Sequence, residues 1–135
     1  MADNLDARKK ILLVDDDEIH LSTAELFLKD KYQIHKAMSG DEALECLRTN
    51  QISPDLIMLD IIMPNMDGWE VFRRIKAIAL LKDVPVIFLT SVDEEKNRKK
   101  ARELGAADYI TKPYNMILLK NAIKEVLDRK VTRRR

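Results

Sequence analysis

Four carboxylates in this sequence stand where apolar runs stop: Asp15, Asp16 and Asp17 close "KILLVDDD", and Asp60 closes "DLIMLD". Two further runs end in polar pairs, "VPVIFL" in Thr90-Ser91 and "DYIT" in Lys112-Pro113. Unit charges of like sign ~4 Å apart repel by about 4 kcal/mol at an effective dielectric near 20. If the run ends meet, Asp15, Asp16 and Asp60 need a cation or strongly raised pKa values to coexist. A set of oxygen donors without His or Cys suits a hard ion, Mg2+ or Mn2+, and Lys112 adds a fixed positive charge. A divalent ion, an ammonium and a hydroxyl aimed at one point describe a cradle for a phosphoryl group.

Each of these residues also has an ordinary structural use. Asp17 is expected to cap the helix that follows it, and Thr90, Ser91 and Lys112-Pro113 fit turns and loops. Asp67-Gly68 is expected to turn the chain into the next helix, with Met63-Pro64 setting the entry. Such uses do not explain why the strand ends are polar together.

The elements that must position these groups are short. The runs at 10–14, 55–59, 84–89 and 108–110, with "YQIHKA" at 32–37, read as strands. Between them the apolar spacing is helical. It aligns Ala24, Phe27 and Leu28, then Ala43, Leu44 and Leu47, then Val71, Phe72, Ile75 and Ile78. The fourth such stretch has few anchors beyond Ala101 and Leu104, and the last aligns Ile117, Leu118, Ala122 and Val126, with Leu127 beside them. Asp17, Ser39 and Asp93 are expected N-caps, Ser91 and Glu94 an expected capping box, and Gly105 a helix C-terminus. Five strands alternating with five helices predict an α/β fold with a parallel sheet covered on both faces. In such an open sheet, ligands bind beyond the carboxyl ends of the strands. An order of 2-1-3-4-5 would set the acidic, hydroxyl and ammonium ends side by side.

Composition narrows the function classes. The 135 residues suffice for one domain with a full core, and 46% hydrophobic against 35% charged residues is a globular profile. The 24 basic and 23 acidic residues leave a formal charge of +1, which gives no nucleic-acid footprint over the domain. Cys46 is the only cysteine, so an intrachain disulfide and a Cys-based metal cluster are excluded, and a buried, inert thiol is expected. No apolar run approaches the ~18 residues of a membrane span, and the N-terminus lacks a signal-like apolar core, so a cytoplasmic location is expected. Residues 1–8 and the basic tail 130–135 are expected to flank a domain at 9–129. His20 is expected at the surface or rim, His35 away from the cleft, and the basic run Lys96, Arg98, Lys99, Lys100 and Arg102 on a solvated helix face.

Taken in order, "LLVDDD", "PDLIMLDIIMPNMDGWE", "VPVIFLTS" and "GAADYITKPY" resemble the receiver domain of two-component response regulators over about Lys9 to Arg129. The resemblance implies the flavodoxin-like (βα)5 fold with sheet order 2-1-3-4-5. It implies that Asp60 is the phosphoacceptor, and that Asp15, Asp16, Asp60 and the Ile62 backbone carbonyl hold Mg2+, with Mn2+ as an alternative. Lys112 would pair with the phosphoryl oxygens, and the Lys112-Pro113 bond would be cis. Thr90 would be the switch hydroxyl, and Tyr109 the aromatic that turns inward with it. The implied partners are a sensor histidine kinase or histidine phosphotransfer protein as donor, and an effector protein or the chain's own output domain as target. The surface carrying the output would be residues 93–104, 106–111 and 115–129. Direct nucleic-acid or membrane binding by this domain is not implied, and the chain is expected as a monomer, or a dimer once phosphorylated. It is read as a phosphoacceptor signalling domain rather than an enzyme, either stand-alone or a piece of a longer regulator.

Three other readings fit less of the sequence. Asp15-x-Asp17 after a strand resembles a haloacid-dehalogenase-type phosphatase, but no acidic pair follows Lys112 and "LDIIMPNMDG" is left unexplained. A binding-only pseudo-receiver is disfavoured by the full set Asp15, Asp16, Asp60, Thr90 and Lys112. A flavin carrier is disfavoured because Gly40, Gly68 and Gly105 make no glycine-rich phosphate loop. Ile62 and Val92, two residues beyond Asp60 and Thr90, are apolar where relatives often carry polar groups, which predicts slow loss of the phosphoryl group to water.

Overall fold

The computed structural model describes residues 7–133. Its strands are β1 (Lys10–Val14), β2 (Gln33–Ala37), β3 (Leu56–Leu59), β4 (Val86–Thr90) and β5 (Asp108–Thr111). The helices are α1 (Glu18–Leu28), α2 (Gly40–Arg48), α3 (Gly68–Lys76), α4 (Glu95–Leu104) and α5 (Met116–Arg133). All strand pairs are parallel, and the sheet order is β2-β1-β3-β4-β5, as expected. Among the described residues, no helix is long and apolar enough to cross a membrane. The expected N-terminal flank at residues 1–6 and the tail end at 134–135 lie outside the described residues. Helix α5 continues to Arg133, past the boundary expected at Arg129.

Period-two alternation splits the central strands between two cores. Leu12, Val14, Ile57, Leu59, Val86 and Phe88 pack with α2 and α3 residues on one face. Ile11, Leu13, Leu56, Met58, Ile87 and Leu89 pack with α1 and α5 residues on the other. Because both faces are covered, β3 is apolar throughout and β4 is apolar up to its last residue, Thr90, and both are buried along their length. In these two central strands polar chemistry is left to the ends.

Local signals start most helices as expected. Asp17 accepts from the Ile19 and His20 amides, and Ser39 accepts from the Glu42 amide. Asp67, expected as a turn residue, caps α3 by accepting from the Glu70 amide. Gly105 ends α4 in the left-handed region at φ 93°, where glycine carries no Cβ penalty.

The start of α4 differs from expectation. Neither an Asp93 cap nor a Ser91–Glu94 capping box forms; Glu94 is the cap residue and makes no side-chain cap bond. The Asp93 carboxylate instead pairs with Arg98 at 3.0 Å, so a guanidinium takes the acceptor that the helix amides would have used. Two apolar faces are also rotated from those expected. In α1 the buried residues are Leu21, Ala24 and Leu28, and Phe27 is exposed. In α5 they are Leu119, Ile123, Val126 and Leu127, with Ile117 and Leu118 facing outward. In α4 only Ala101 is buried, and Leu104 is exposed.

Candidate functional site

The carboxyl ends of β1, β3, β4 and β5 deliver the candidate groups to one end of the sheet. Asp15 follows β1 and Asp60 follows β3, and both are buried at 6% and 7% exposure. The Asp60 amide donates to the Val14 carbonyl at 3.0 Å, which zips the two acidic ends together. Asp16 is exposed beside them. One carboxylate oxygen from each of Asp15, Asp16 and Asp60 lies within 4.8 Å of the others.

Lys112 arrives from beyond β5 through a cis Lys112-Pro113 bond, as expected. Its amide donates to the Thr90 carbonyl at 2.8 Å, fixing this loop to the end of β4. Its ammonium donates to Asp15 Oδ2 at 2.5 Å and to Asp60 Oδ2 at 3.3 Å. The other oxygens of these carboxylates are held by backbone: Asp17 N–H donates to Asp15 Oδ1 at 2.9 Å, and Ile62 N–H to Asp60 Oδ1 at 3.2 Å. Both residues are therefore locked in rotamer while their free lone pairs face the cleft.

Burial pushes the Asp60 carboxyl above its ordinary value, and the Asp15 charge adds to this. Lys112 and the Ile62 amide oppose it. For Lys112, burial alone would lower the pKa, but hydrogen bonding and charge from Asp15 and Asp60 outweigh it and raise the ammonium further. Lys112 is thus a permanent cation at neutral pH. Three carboxylates against one ammonium leave two negative charges to be balanced, which matches a divalent ion. All the donors are hard oxygens, and the Ile62 carbonyl accepts no hydrogen bond among the described residues. The residues present therefore fit Mg2+ or Mn2+.

The rim is mixed. An open cleft above the acidic cluster is lined by Ile19, His20, Met38, Ile62, Ser91 and Lys112, among others. The Ile62 side chain is 57% exposed, so its apolar surface stands over the cleft while its backbone serves Asp60.

Thr90 and Tyr109 lie deeper. Thr90 is fully buried, and its hydroxyl accepts from Val92 N–H at 3.4 Å. Tyr109 is buried, with its ring against Phe88 at 6.3 Å and its hydroxyl donating to the Val92 carbonyl at 2.5 Å. Val92 thus links the two residues through its own peptide groups.

Two contacts escaped sequence reasoning. Arg98 does not lie free on a solvated face: it sits over the Tyr109 ring at 5.0 Å and donates to the Tyr109 carbonyl and the Thr111 hydroxyl. His20 stands at the rim as expected, but it also contacts Lys112 at 3.0 Å. His35 stays away from the cleft, next to buried Cys46, whose thiol is pushed up by burial as expected of an inert sulfur.

The family model described as the response regulator receiver domain matches residues 11–124. The chain is 40% identical over 120 residues to a protein of Vibrio cholerae named a probable cyclic di-GMP phosphodiesterase, across 89% of this chain and 27% of that protein. It is 38% identical over 122 residues to the alkaline phosphatase synthesis transcriptional regulatory protein PhoP of Bacillus subtilis, across 90% of this chain and 49% of that protein. This chain thus spans about half or less of these curated relatives. Among solved structures, a response regulator receiver domain protein of Clostridium thermocellum superposes with TM-score 0.83 at 31% identity, covering 92% of this chain and 98% of that one. The chemotaxis protein CheY4 of Vibrio cholerae superposes with TM-score 0.81 at 27% identity, covering 89% and 99%.

Proposed function

This chain belongs to the response regulator receiver domain family, and from that premise we propose that Asp60 accepts a phosphoryl group from a phosphohistidine. The donor would be a sensor histidine kinase or a histidine phosphotransfer protein. The observation that carries the reading is the position of Asp60: buried at the end of β3, beside the Asp15–Asp16 pair and within 3.3 Å of the Lys112 ammonium.

An Asp60 carboxylate oxygen attacks phosphorus, the P–N bond to the donor imidazole breaks with its electrons going to nitrogen, and an acyl phosphate forms. The Ile62 amide and Lys112 hold the Asp60 carboxylate so that its attacking lone pair faces the cleft. Lys112 is placed to follow the developing charge onto the phosphoryl oxygens. When bound by Asp15, Asp16, Asp60 and the Ile62 carbonyl, Mg2+ (or Mn2+) supplies Lewis-acid neutralisation of those oxygens.

Thr90 and Tyr109 then form the switch. Tyr109 is already inward before phosphorylation, held by the Val92 carbonyl, so the movement left to the switch is that of the Thr90 hydroxyl from the Val92 amide to the phosphoryl group. The surface of α4, β5 and α5 responds, and an effector protein or an output domain of the same polypeptide reads it. The relative named a transcriptional regulatory protein is about twice the length of the matched region, which favours an output carried on a longer chain.

The test is phosphotransfer from a phosphorylated histidine protein or acetyl phosphate, with Mg2+ or with a chelator. Wild type should be labelled only with Mg2+, and Asp60→Asn not at all. Label on Asp60→Asn, or label indifferent to Mg2+, contradicts the reading.

The exposed apolar side chain of Ile62 and the half-buried Val92 offer no group to orient water at the acyl phosphate. The double variant Ile62→Asn, Val92→Glu should shorten the half-life of the phosphorylated protein roughly 100-fold or more, the lower end for one positioned general base. An unchanged half-life in the decay of labelled protein would refute this.

A further inference from the structure

The geometry points to His20 as a positioning residue that sets where the Lys112 ammonium sits before phosphoryl transfer. This rests on the reading of Asp60 as phosphoacceptor. An ammonium has three protons and no lone pair, so a nearly buried one needs three acceptors. Lys112 has Asp15 Oδ2 at 2.5 Å, Asp60 Oδ2 at 3.3 Å and, as the third, His20 Nδ1 at 3.0 Å. Its side chain is only 11% exposed and lines the open cleft beside His20, so without His20 the third proton is left to mobile water rather than to a fixed acceptor.

His20 suits this position for two reasons. An imidazole accepts without adding negative charge, whereas another carboxylate there would deepen the repulsion among Asp15, Asp16 and Asp60. Its ring is also oriented from both sides: Nε2 lies 3.5 Å from Asp17 Oδ2 and Nδ1 lies 3.5 Å from Asp15 Oδ2, and because an ammonium only donates, the 3.0 Å contact with Lys112 makes Nδ1 the acceptor. Asp17 meanwhile caps α1 and binds the His20 amide with its other oxygen. A chain Asp17–His20–Lys112 therefore ties the start of α1 to the loop after β5. It fixes the third direction of an ammonium that otherwise has two charged partners to swing between.

The test combines a spectroscopic reading with a mutant cycle on the full chain. In nitrogen NMR of unphosphorylated protein at neutral pH, the His20 Nδ1 should give the signal of an unprotonated, hydrogen-bonded ring nitrogen, and this should change in Lys112→Ala. The rate of phosphorylation by acetyl phosphate should fall about tenfold in His20→Ala, the cost of one hydrogen bond to a charged group. It should recover in His20→Asn, whose carbonyl oxygen can stand near the Nδ1 position, while Mg2+ affinity changes little. In a Lys112→Ala background His20→Ala should have no further effect. A protonated Nδ1, an unchanged rate in His20→Ala, or an equal loss with and without Lys112 overturns the proposal. Failure of the wild type to accept phosphate would instead defeat the phosphoacceptor reading, and the NMR signature would still decide the contact.

Discussion

Lys112→Ala is expected to slow phosphorylation of Asp60 by roughly 100- to 1000-fold, the range seen when one preorganised donor to a developing oxyanion is removed. The same variant should bind Mg2+ more tightly, because the acidic cluster loses the ammonium that lies 2.5 Å from Asp15 and 3.3 Å from Asp60. These opposite signs separate two views of the residue. If Lys112 served only to hold the fold, rate and metal affinity would fall together. If it serves the phosphoryl oxygens, the metal binds better and the chemistry still fails. Calorimetric Mg2+ titration beside a single-turnover labelling rate reads both, and weaker metal binding in the variant would contradict the account.

Gly68→Ala is expected to cost about 3 kcal/mol of stability, at the upper end for overpacking. A Cβ at this position would stand 2.3 Å from the Asp60 carbonyl oxygen and 2.7 Å from Ile61 Cα. Both are backbone atoms of the segment that carries the acceptor, and the Gly68 amide already donates to the Ile61 carbonyl at 2.8 Å. The loop has little room to retreat, so the clash moves Asp60 as well as weakening the fold. Gly40 is the control. Its Cβ would meet the Val71 Cγ2 atom at 2.5 Å and the Met66 sulfur at 3.0 Å, so the clash falls on side chains, of which Met66 is flexible and Val71 stiff, and not on backbone. Urea unfolding should show a larger drop in midpoint for Gly68→Ala than for Gly40→Ala, at similar m-values. The reverse order would show that the close approach at Gly68 is relieved in some way the packing does not suggest.

The site was legible in the sequence because it is built from strand ends, and strand ends are where apolar runs stop. Asp15, Asp60, Thr90 and Lys112 each mark such a stop, and parallel pairing of β1, β3, β4 and β5 brings them to one end. The phase of two helices was harder to read. In α5, Ile117, Leu118 and Leu119 are consecutive, so periodicity alone cannot choose which of them faces the sheet. Only packing against Ile110 and the neighbouring strands selects Leu119. In α1 the same ambiguity runs through Leu26, Phe27 and Leu28, of which only Leu28 is buried, in line with Leu21 and Ala24. The start of α4 depended on a competition between backbone amides and the Arg98 guanidinium for Asp93, which spacing does not encode.

Contacts between distant segments were the least legible. His20 and Lys112 are 92 positions apart, and Arg98 reaches across to β5 to hold Tyr109 and Thr111. Both residues sit on helix positions that look solvent-facing by pattern. Their partners become visible only once the sheet has set the neighbouring strands and loops in place.

Chemical mapping shows directly whether Asp60 carries the phosphoryl group. Protein phosphorylated with acetyl phosphate and Mg2+ is reduced with borohydride, which converts an aspartyl phosphate to homoserine, and then digested and analysed by tandem mass spectrometry. Homoserine is expected at position 60 and unmodified aspartate at positions 15, 16 and 17. Homoserine at Asp15 with Asp60 intact would contradict this, and would turn the reading toward a phosphatase that uses the first strand's aspartate as nucleophile.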